Sequence, residues 1–224
     1  MKVLTTLAAL TLATTAFAQT APSPKLIAQL DAASKTFKSA QANVTKDNYT
    51  YVVRATDTTT GTIFIKRDGA SVTMGATIAA PGAKPSKIVD FDGSVLQMYT
   101  VSENTVDVLK AGSNQAKYQS FLTLGFGGSG TDLMKQWNIN DQGPETIDNI
   151  ACEKLDLTPK DPSVASTFTH VTIWIDPTRD VSMKQIFYAP DKNTQTTTYS
   201  NVKLNKSIDT TPYKIPAKAK RINH

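Results

Sequence analysis

The chain has 224 residues, 24 basic and 19 acidic, for a formal charge of +5, and 40% of its residues are hydrophobic. That is enough apolar material for one sizeable core, and it excludes a disordered chain. One cysteine and two histidines exclude a disulfide framework, a Cys-rich zinc site and a multi-histidine metal centre supplied by one chain. The mild positive charge is unlike the dense basic stripe of a nucleic-acid binder.

Lys2 precedes an apolar stretch from Val3 to Ala16, and Ala16-Phe17-Ala18 forms a small-x-small pattern before Gln19. This pattern predicts a cleaved secretory leader over residues 1–18 and a short linker over 19–23. The stretch falls short of the roughly 20 apolar residues that span a bilayer, so the expected product is exported and soluble. Cys152 then stands alone in an oxidising compartment and reads as a small buried hydrophobe.

From Pro24 to about Ala42, Leu26, Leu30, Ala33 and Phe37 recur at steps of three and four, which predicts a helix. From Tyr49 onward the pattern changes to short runs rich in Thr, Val, Ile and Tyr, separated by Gly, Pro, Asn and Asp. Strands are predicted at about 49–57, 61–67, 71–79, 86–91, 94–101 and 104–110, then at about 137–147, 150–158, 168–176, 181–189 and 195–205. Val72, Met74, Ala76 and Ile78 alternate with Ser71, Thr73, Gly75 and Thr77, giving that strand one apolar face. Asp68-Gly69 and Asp92-Gly93 are hairpin turn signals. About eleven closely spaced strands without βαβ alternation predict an antiparallel sandwich or barrel. One continuous meander predicts a single domain over 24–206.

The interruption from Ser113 to Gln136 carries two short helical patterns. Ala116, Phe121, Leu122 and Leu124 form the first; Leu133, Met134 and Trp137, after a Thr131 cap, form the second. Gly125, Gly127, Gly128 and Gly130 lie between them and are expected to act as a flexible hinge. The three helical pieces each have an apolar side, so they are expected to lie across the sheet. The basic tail, 207–224, is expected to add an edge segment near Tyr213-Lys214-Ile215 and then fray.

Gly125-x-Gly127-x-x-Gly130 matches the dinucleotide fingerprint in letters only, because no strand leads into it and no parallel unit surrounds it. Ser129 lacks the closing glycine of a nucleophile elbow, since Thr131 stands there. His170 shares a strand face with Thr172 and Trp174 and is the main candidate base for a hydrolase.

Taken in series, several stretches resemble the LolA-type periplasmic carriers of outer-membrane lipoproteins. They are the helix Leu26–Phe37, Gly61-Thr-Ile-Phe-Ile-Lys-Arg67, Phe91-Asp-Gly-Ser-Val-Leu-Gln-Met-Tyr99, Leu155-Asp-Leu-Thr-Pro-Lys160, Ile173-Trp-Ile-Asp-Pro177 and Tyr199-Ser-Asn-Val-Lys-Leu-Asn205. The chain departs from the family at Asp68, where proline is usual, and at Gln97, where an aromatic residue is usual.

The resemblance implies a mainly β (α+β) fold: a strongly curved antiparallel sheet of about eleven strands forming an incomplete barrel, closed by the N-terminal helix and two short central helices. It implies a cofactor-free, non-enzymatic, monomeric carrier that takes a lipoprotein or other lipid cargo from an inner-membrane donor complex to an outer-membrane acceptor. Arg67 stands where the family has an arginine that latches the helical lid. Met74, Leu96, Met98, Phe121, Leu122, Phe126 and Trp174 are the expected cavity lining. A sensory or regulatory module of the same fold is the first alternative, and an envelope hydrolase using His170 the second.

Overall fold

The computed structural model describes residues 20–69, 71–110, 112 and 124–224. The leader, Phe121, Leu122 and nearly all of the first central helical pattern lie outside the described residues.

Helix α1 spans Pro24–Thr36. The Ser23 side chain caps it by accepting from the Leu26 N–H at 3.1 Å, and Pro24 sits where its missing N–H has no partner to lose. It ends well before Ala42, because from Ala40 the apolar residues alternate instead of recurring on a helical stripe, and strand β1 (Ser39–Thr50) begins. The polar run Thr45 to Asn48 hides this strand from a reading based on hydrophobicity. Strand β2 is one long element, Ala55–Asp68, where two strands are expected from the sequence. Its Gly61 is no break: a Cβ there would lie 1.8 Å from the Thr77 carbonyl oxygen, so the residue permits close approach of the neighbouring strand. The predicted strand at 49–57 straddles the turn between β1 and β2.

The remaining strands are β3 (Ser71–Ala79), β4 (Lys87–Phe91), β5 (Val95–Thr100), β6 (Thr105–Lys110), β7 (Trp137–Ile147), β8 (Ile150–Pro159), β9 (His170–Asp176), β10 (Val181–Tyr188), β11 (Thr194–Leu204) and β12 (Lys220–Asn223). The expected glycine turns are in place: Gly69 and Gly93 both have positive φ. Helix α2 is Gly130–Gln136, capped by Ser129 and not by Thr131 as expected. A four-residue helix, α3 (Pro162–Ala165), has no counterpart among the expected elements.

Among the described residues twelve strands form one sheet in the order β12-β6-β5-β4-β3-β2-β1-β11-β10-β9-β8-β7. It is mixed and not purely antiparallel, because β12 pairs parallel to β6. The edge strands do not meet and the sheet is neither closed nor strongly curled, which corrects the expected incomplete barrel. Closure is not needed to protect the edges: β12 is four residues long and charged, and β7 carries Pro144 beside an irregularity in its pairing.

The two faces of the sheet have different covers. Ile65, Met74, Phe91 and Leu96 are successive cross-strand partners from β2 to β5, and they share the helix-bearing face with Leu155, Leu157 and Ile173. On that face Leu26 and Leu30 of α1 pack in one core with Leu155, Leu157, Val171 and Ile173.

The tail covers the other face of β2–β6. Tyr213 is buried, meets Phe64 edge-on at 4.8 Å between centroids, and donates its hydroxyl to Thr62 Oγ1 at 3.0 Å. Ala219 joins Tyr99, Val106 and Val108 in a separate small core. Arg221 donates to Gln97 Oε1, and His224 lies 2.9 Å from Asp107. The tail is therefore docked, not frayed, and its last strand occupies what would otherwise be an open edge at β6. Replacing Tyr213 with Ala is expected to lower the unfolding free energy by about 3 kcal/mol, through the lost burial and the cavity left behind. Urea unfolding of the full chain checks this; a change under about 0.5 kcal/mol, as for an ordinary surface site, would show the tail to be energetically idle.

Candidate functional site

Helices α1 and α2 are tied into one layer. The Asp31 carboxylate accepts from the Thr131 N–H at 2.9 Å and from its hydroxyl at 2.7 Å. These bonds hold the Asp31 carboxyl below the usual carboxylate range. Ser129 accepts from the Asp132 N–H at 3.0 Å and donates its hydroxyl to the Asp132 carboxylate at 2.9 Å. Gly130 lies against the backbone of Ile27, where a Cβ would sit 3.0 Å from the carbonyl oxygen.

The glycine segment expected to be a hinge is docked in this structure. Phe126 bridges Val181, the Gly127 N–H donates to the Asp180 carbonyl at 2.9 Å, and the Ser182 N–H donates to the Gly125 carbonyl at 2.6 Å. Gln185 donates to the Leu124 carbonyl at 2.6 Å and accepts from the buried Tyr199 hydroxyl at 3.2 Å. Gly127 has φ +68°, and a Cβ there would meet the Phe37 ring at 2.3 Å, so this position requires glycine. Gly128 has open space around it.

Between this layer and the sheet lies a cavity of about 390 Å³. Leu30 and Ser34 of α1, Arg67 and Val72, the glycine segment, Leu133 and Gln136 of α2, Ile173 and Ile175, and Asp180 line it. Arg67, at the end of β2, reaches the last turn of α1. Its Nη1 donates to the Ser34 carbonyl at 3.3 Å, and its Cζ lies 5.5 Å from the centroid of Phe37. The last four carbonyls of a helix have no partner within it, so the Ser34 oxygen is an available acceptor. The backbone N–H of Arg67 donates to the Lys38 carbonyl at 2.8 Å, which fixes the strand end beside the helix.

Asp180, in the turn between β9 and β10, reads in the sequence only as a turn residue. Its side chain is fully buried and neither carboxylate oxygen has a hydrogen-bond partner. Burial pushes its carboxyl up to about 7, opposed by the nearby Arg67 guanidinium and reinforced by Asp31. Its φ of +54° suits Asp, Asn or Gly. No sequence signal sets it apart from Asp176, which is paired with Arg179.

Of the expected cavity residues, Met74, Leu96, Met98 and Phe126 lie on the helix-bearing side. Phe126 is deep in the core, edge-on to Tyr199 at 4.9 Å. Met74 is buried, whereas Leu96 and Met98 are half-buried. Trp174 is on the opposite face: it alternates with the cavity residues Ile173 and Ile175, and the Lys154 and Lys184 ammonium groups stand 5.2 and 4.7 Å from its ring. Phe121 and Leu122 lie outside the described residues. Val44, Ile63, Ile78 and Val89 are also half-buried, and cross-strand pairing puts them with Leu96 and Met98 on one face from β1 to β5.

His170 is on the Trp174 face, 3.7 Å from Asp156, while Ser129 caps α2 on the other side, so the structure does not bring Ser129 and this base together. Among the described residues there is no group of three or more side chains suited to hold a metal ion, and no helix is long and apolar enough to cross a membrane.

No family model and no curated protein matches the chain. Solved structures do. An uncharacterised conserved protein from Thermus thermophilus matches at 9% identity and TM-score 0.55, over 89% of this chain and 98% of that one. MucB, also solved in a MucA/MucB complex from Pseudomonas aeruginosa, matches at 10% identity and TM-score 0.54, over 88% of this chain and 63% of that one. A LolA superfamily protein from Nitrosomonas europaea matches at 15% identity and TM-score 0.40, over 85% and 96%. At such identities the likeness is one of fold alone: the chain shares the fold of the Thermus thermophilus protein and of MucB over most of its length.

The raised Asp180 carboxyl has a definite sign in stability. The folded state retains a proton that the unfolded chain gives up near pH 4, so the contribution is complete below that pH and is lost as pH rises through about 7. Relative to Asp180→Asn, wild type is expected to lose up to about 4 kcal/mol of unfolding free energy between pH 4 and pH 8. Parallel pH profiles for the two proteins in urea would contradict this.

Proposed function

We propose that the protein is a cofactor-free carrier that holds acyl chains of a lipoprotein or related lipid in the periplasm. The observation that supports this best is the half-buried apolar strip of Val44, Ile63, Ile78, Val89, Leu96 and Met98 beside the helix-covered cavity. An acyl chain of about fifteen methylenes costs on the order of 12 kcal/mol to leave in water, at roughly 0.8 kcal/mol per methylene. A strip of this kind, next to helices held by a few polar bonds, offers such a chain a dry surface. The helices α1 and α2 act as the lid and the docked glycine segment as its pivot. The Arg67 bond to Ser34 is the latch that favours the empty, shut form. The donor and acceptor for cargo are an inner-membrane complex and an outer-membrane receptor, and the carrier works as a monomer.

The likeness of fold to MucB, which is solved in complex with MucA, favours a second reading. In it, the same surface detects an acylated ligand and changes the affinity for a protein partner.

Two substitutions separate a cargo surface from ordinary core. Met98→Glu or Leu96→Glu places a charge on the strip and is expected to weaken binding of a fluorescent sixteen-carbon fatty-acid probe at least tenfold, about 1.4 kcal/mol. Unchanged affinity in a folded variant would remove the strip from the mechanism. Arg67→Leu is expected to keep the fold and to slow lipid release to acceptor vesicles, because it takes away a bond that favours the shut form. Wild-type transfer rates in that variant would remove the latch assignment.

A further inference from the structure

A buried carboxylate with both oxygens unpartnered is uncommon in a folded protein and calls for an explanation. Asp180 is such a group, and it lines a cavity of about 390 Å³, within the roughly 300–1,000 Å³ typical of small-molecule sites. Arg67 lines the same cavity. It commits one N–H to Ser34, and a guanidinium offers five donors. The nearby carboxylates of the helical layer are already engaged: Asp132 by Lys135 at 2.7 Å and by Ser129, Asp31 by Thr131. Around these polar groups stand Leu30, Val72, Leu133, Ile173 and Ile175.

We infer that this cavity, once a ligand displaces the Gly125–Gly127 segment docked over Asp180, is a head-group subsite for a neutral amphiphile whose polar junction carries both a donor and an acceptor, as a secondary amide does, with its N–H on Asp180 and its carbonyl on Arg67. The inference rests on the acyl-carrier reading and adds the head-group chemistry to it. Charge decides the class. A carboxylate or phosphate head that approached Arg67 would face Asp180, and an ammonium that approached Asp180 would face Arg67. An ester supplies an acceptor for Arg67 and nothing for Asp180. A secondary amide satisfies both sides without adding charge, and leaving a buried polar group unpaired is what makes a site of this kind selective. Burial pushes the Asp180 carboxyl up to about 7, so at pH 7.5 the ionised form, which accepts the amide proton and offers an ester nothing, is the larger fraction.

The test uses the delipidated full chain and three probes with the same sixteen-carbon chain: palmitoylethanolamide, methyl palmitate and palmitate, titrated below their aggregation limits at pH 7.5. Wild type is expected to bind the amide at least tenfold more tightly than the ester or the acid. Asp180→Gly, which suits the positive φ, is expected to erase the preference for amide over ester. Asp180→Asn keeps the size of the side chain and removes its charge, and is expected to narrow the gap between amide and acid. Circular dichroism confirms that both variants are folded. Equal binding of amide and ester by wild type, or a preference retained in folded Asp180→Gly, overturns the subsite while leaving the carrier reading in place. Failure of wild type to bind any of the three probes overturns both.

Discussion

The sheet presents more apolar surface on one face than the described helices cover. Helices α1 and α2 bury Leu26 and Leu30 on Leu155, Leu157, Val171 and Ile173, so their contacts are concentrated towards one end of a twelve-stranded sheet. Over β1 to β5 the same face keeps Val44, Ile63, Ile78, Val89, Leu96 and Met98 only half-buried. The opposite face over β2 to β6 is treated differently, because the tail brings Tyr213 and Ala219 down onto it. One face is thus closed by the tail, while part of the other keeps apolar side chains that are only partly buried, Val44, Ile63, Val89 and Leu96 at the margin of the core.

The parts of the helical layer are coupled by local polar bonds. Asp31 joins α2 to α1, so a displacement of one helix carries the other. Arg67 joins that layer to β2 through Ser34, and the glycine segment joins it to β10 through two backbone bonds. Each joint is small in energy, since a typical hydrogen bond contributes about 1 kcal/mol net. Against them stands the burial of an acyl chain at roughly 0.8 kcal/mol per methylene. Under the proposed carrier function, these magnitudes predict that a long chain opens what a short one cannot. Asp180 meets the glycine segment through its carbonyl, which accepts from the Gly127 N–H, and its carboxyl has no hydrogen-bond partner.

Much of the sheet is legible in the sequence, because period-two alternation and turn residues are local. The strand from Ser71 to Ala79 and that from Trp137 to Ile147 coincide with their expected bounds, and the Asp68-Gly69 and Asp92-Gly93 turns fall between strands as expected. Strand β1 is hidden by its polar middle, and Gly61 imitates a break. What alternation cannot supply is which side of a strand meets the helices. It groups Trp174 correctly with Thr172 and His170, yet that side faces away from the cavity. Asp180 is illegible for a different reason: its burial depends on the Gly125–Gly128 segment, far earlier in the chain, folding over it, and nothing in its neighbours records that. The open sheet departs from expectation because the resemblance carries the family's curvature, whereas the protection of each edge by β12 and by Pro144 belongs to this chain.

The central claim is that the half-covered face binds hydrocarbon, and chain length measures it most directly. Delipidated protein titrated with saturated amphiphiles of one head group and increasing length should show affinity rising about fourfold per added methylene, the factor that roughly 0.8 kcal/mol corresponds to. The rise should continue until the hydrophobic strip is filled. An affinity that does not change with chain length would mean that the strip is not a cargo surface, and the carrier account would fail.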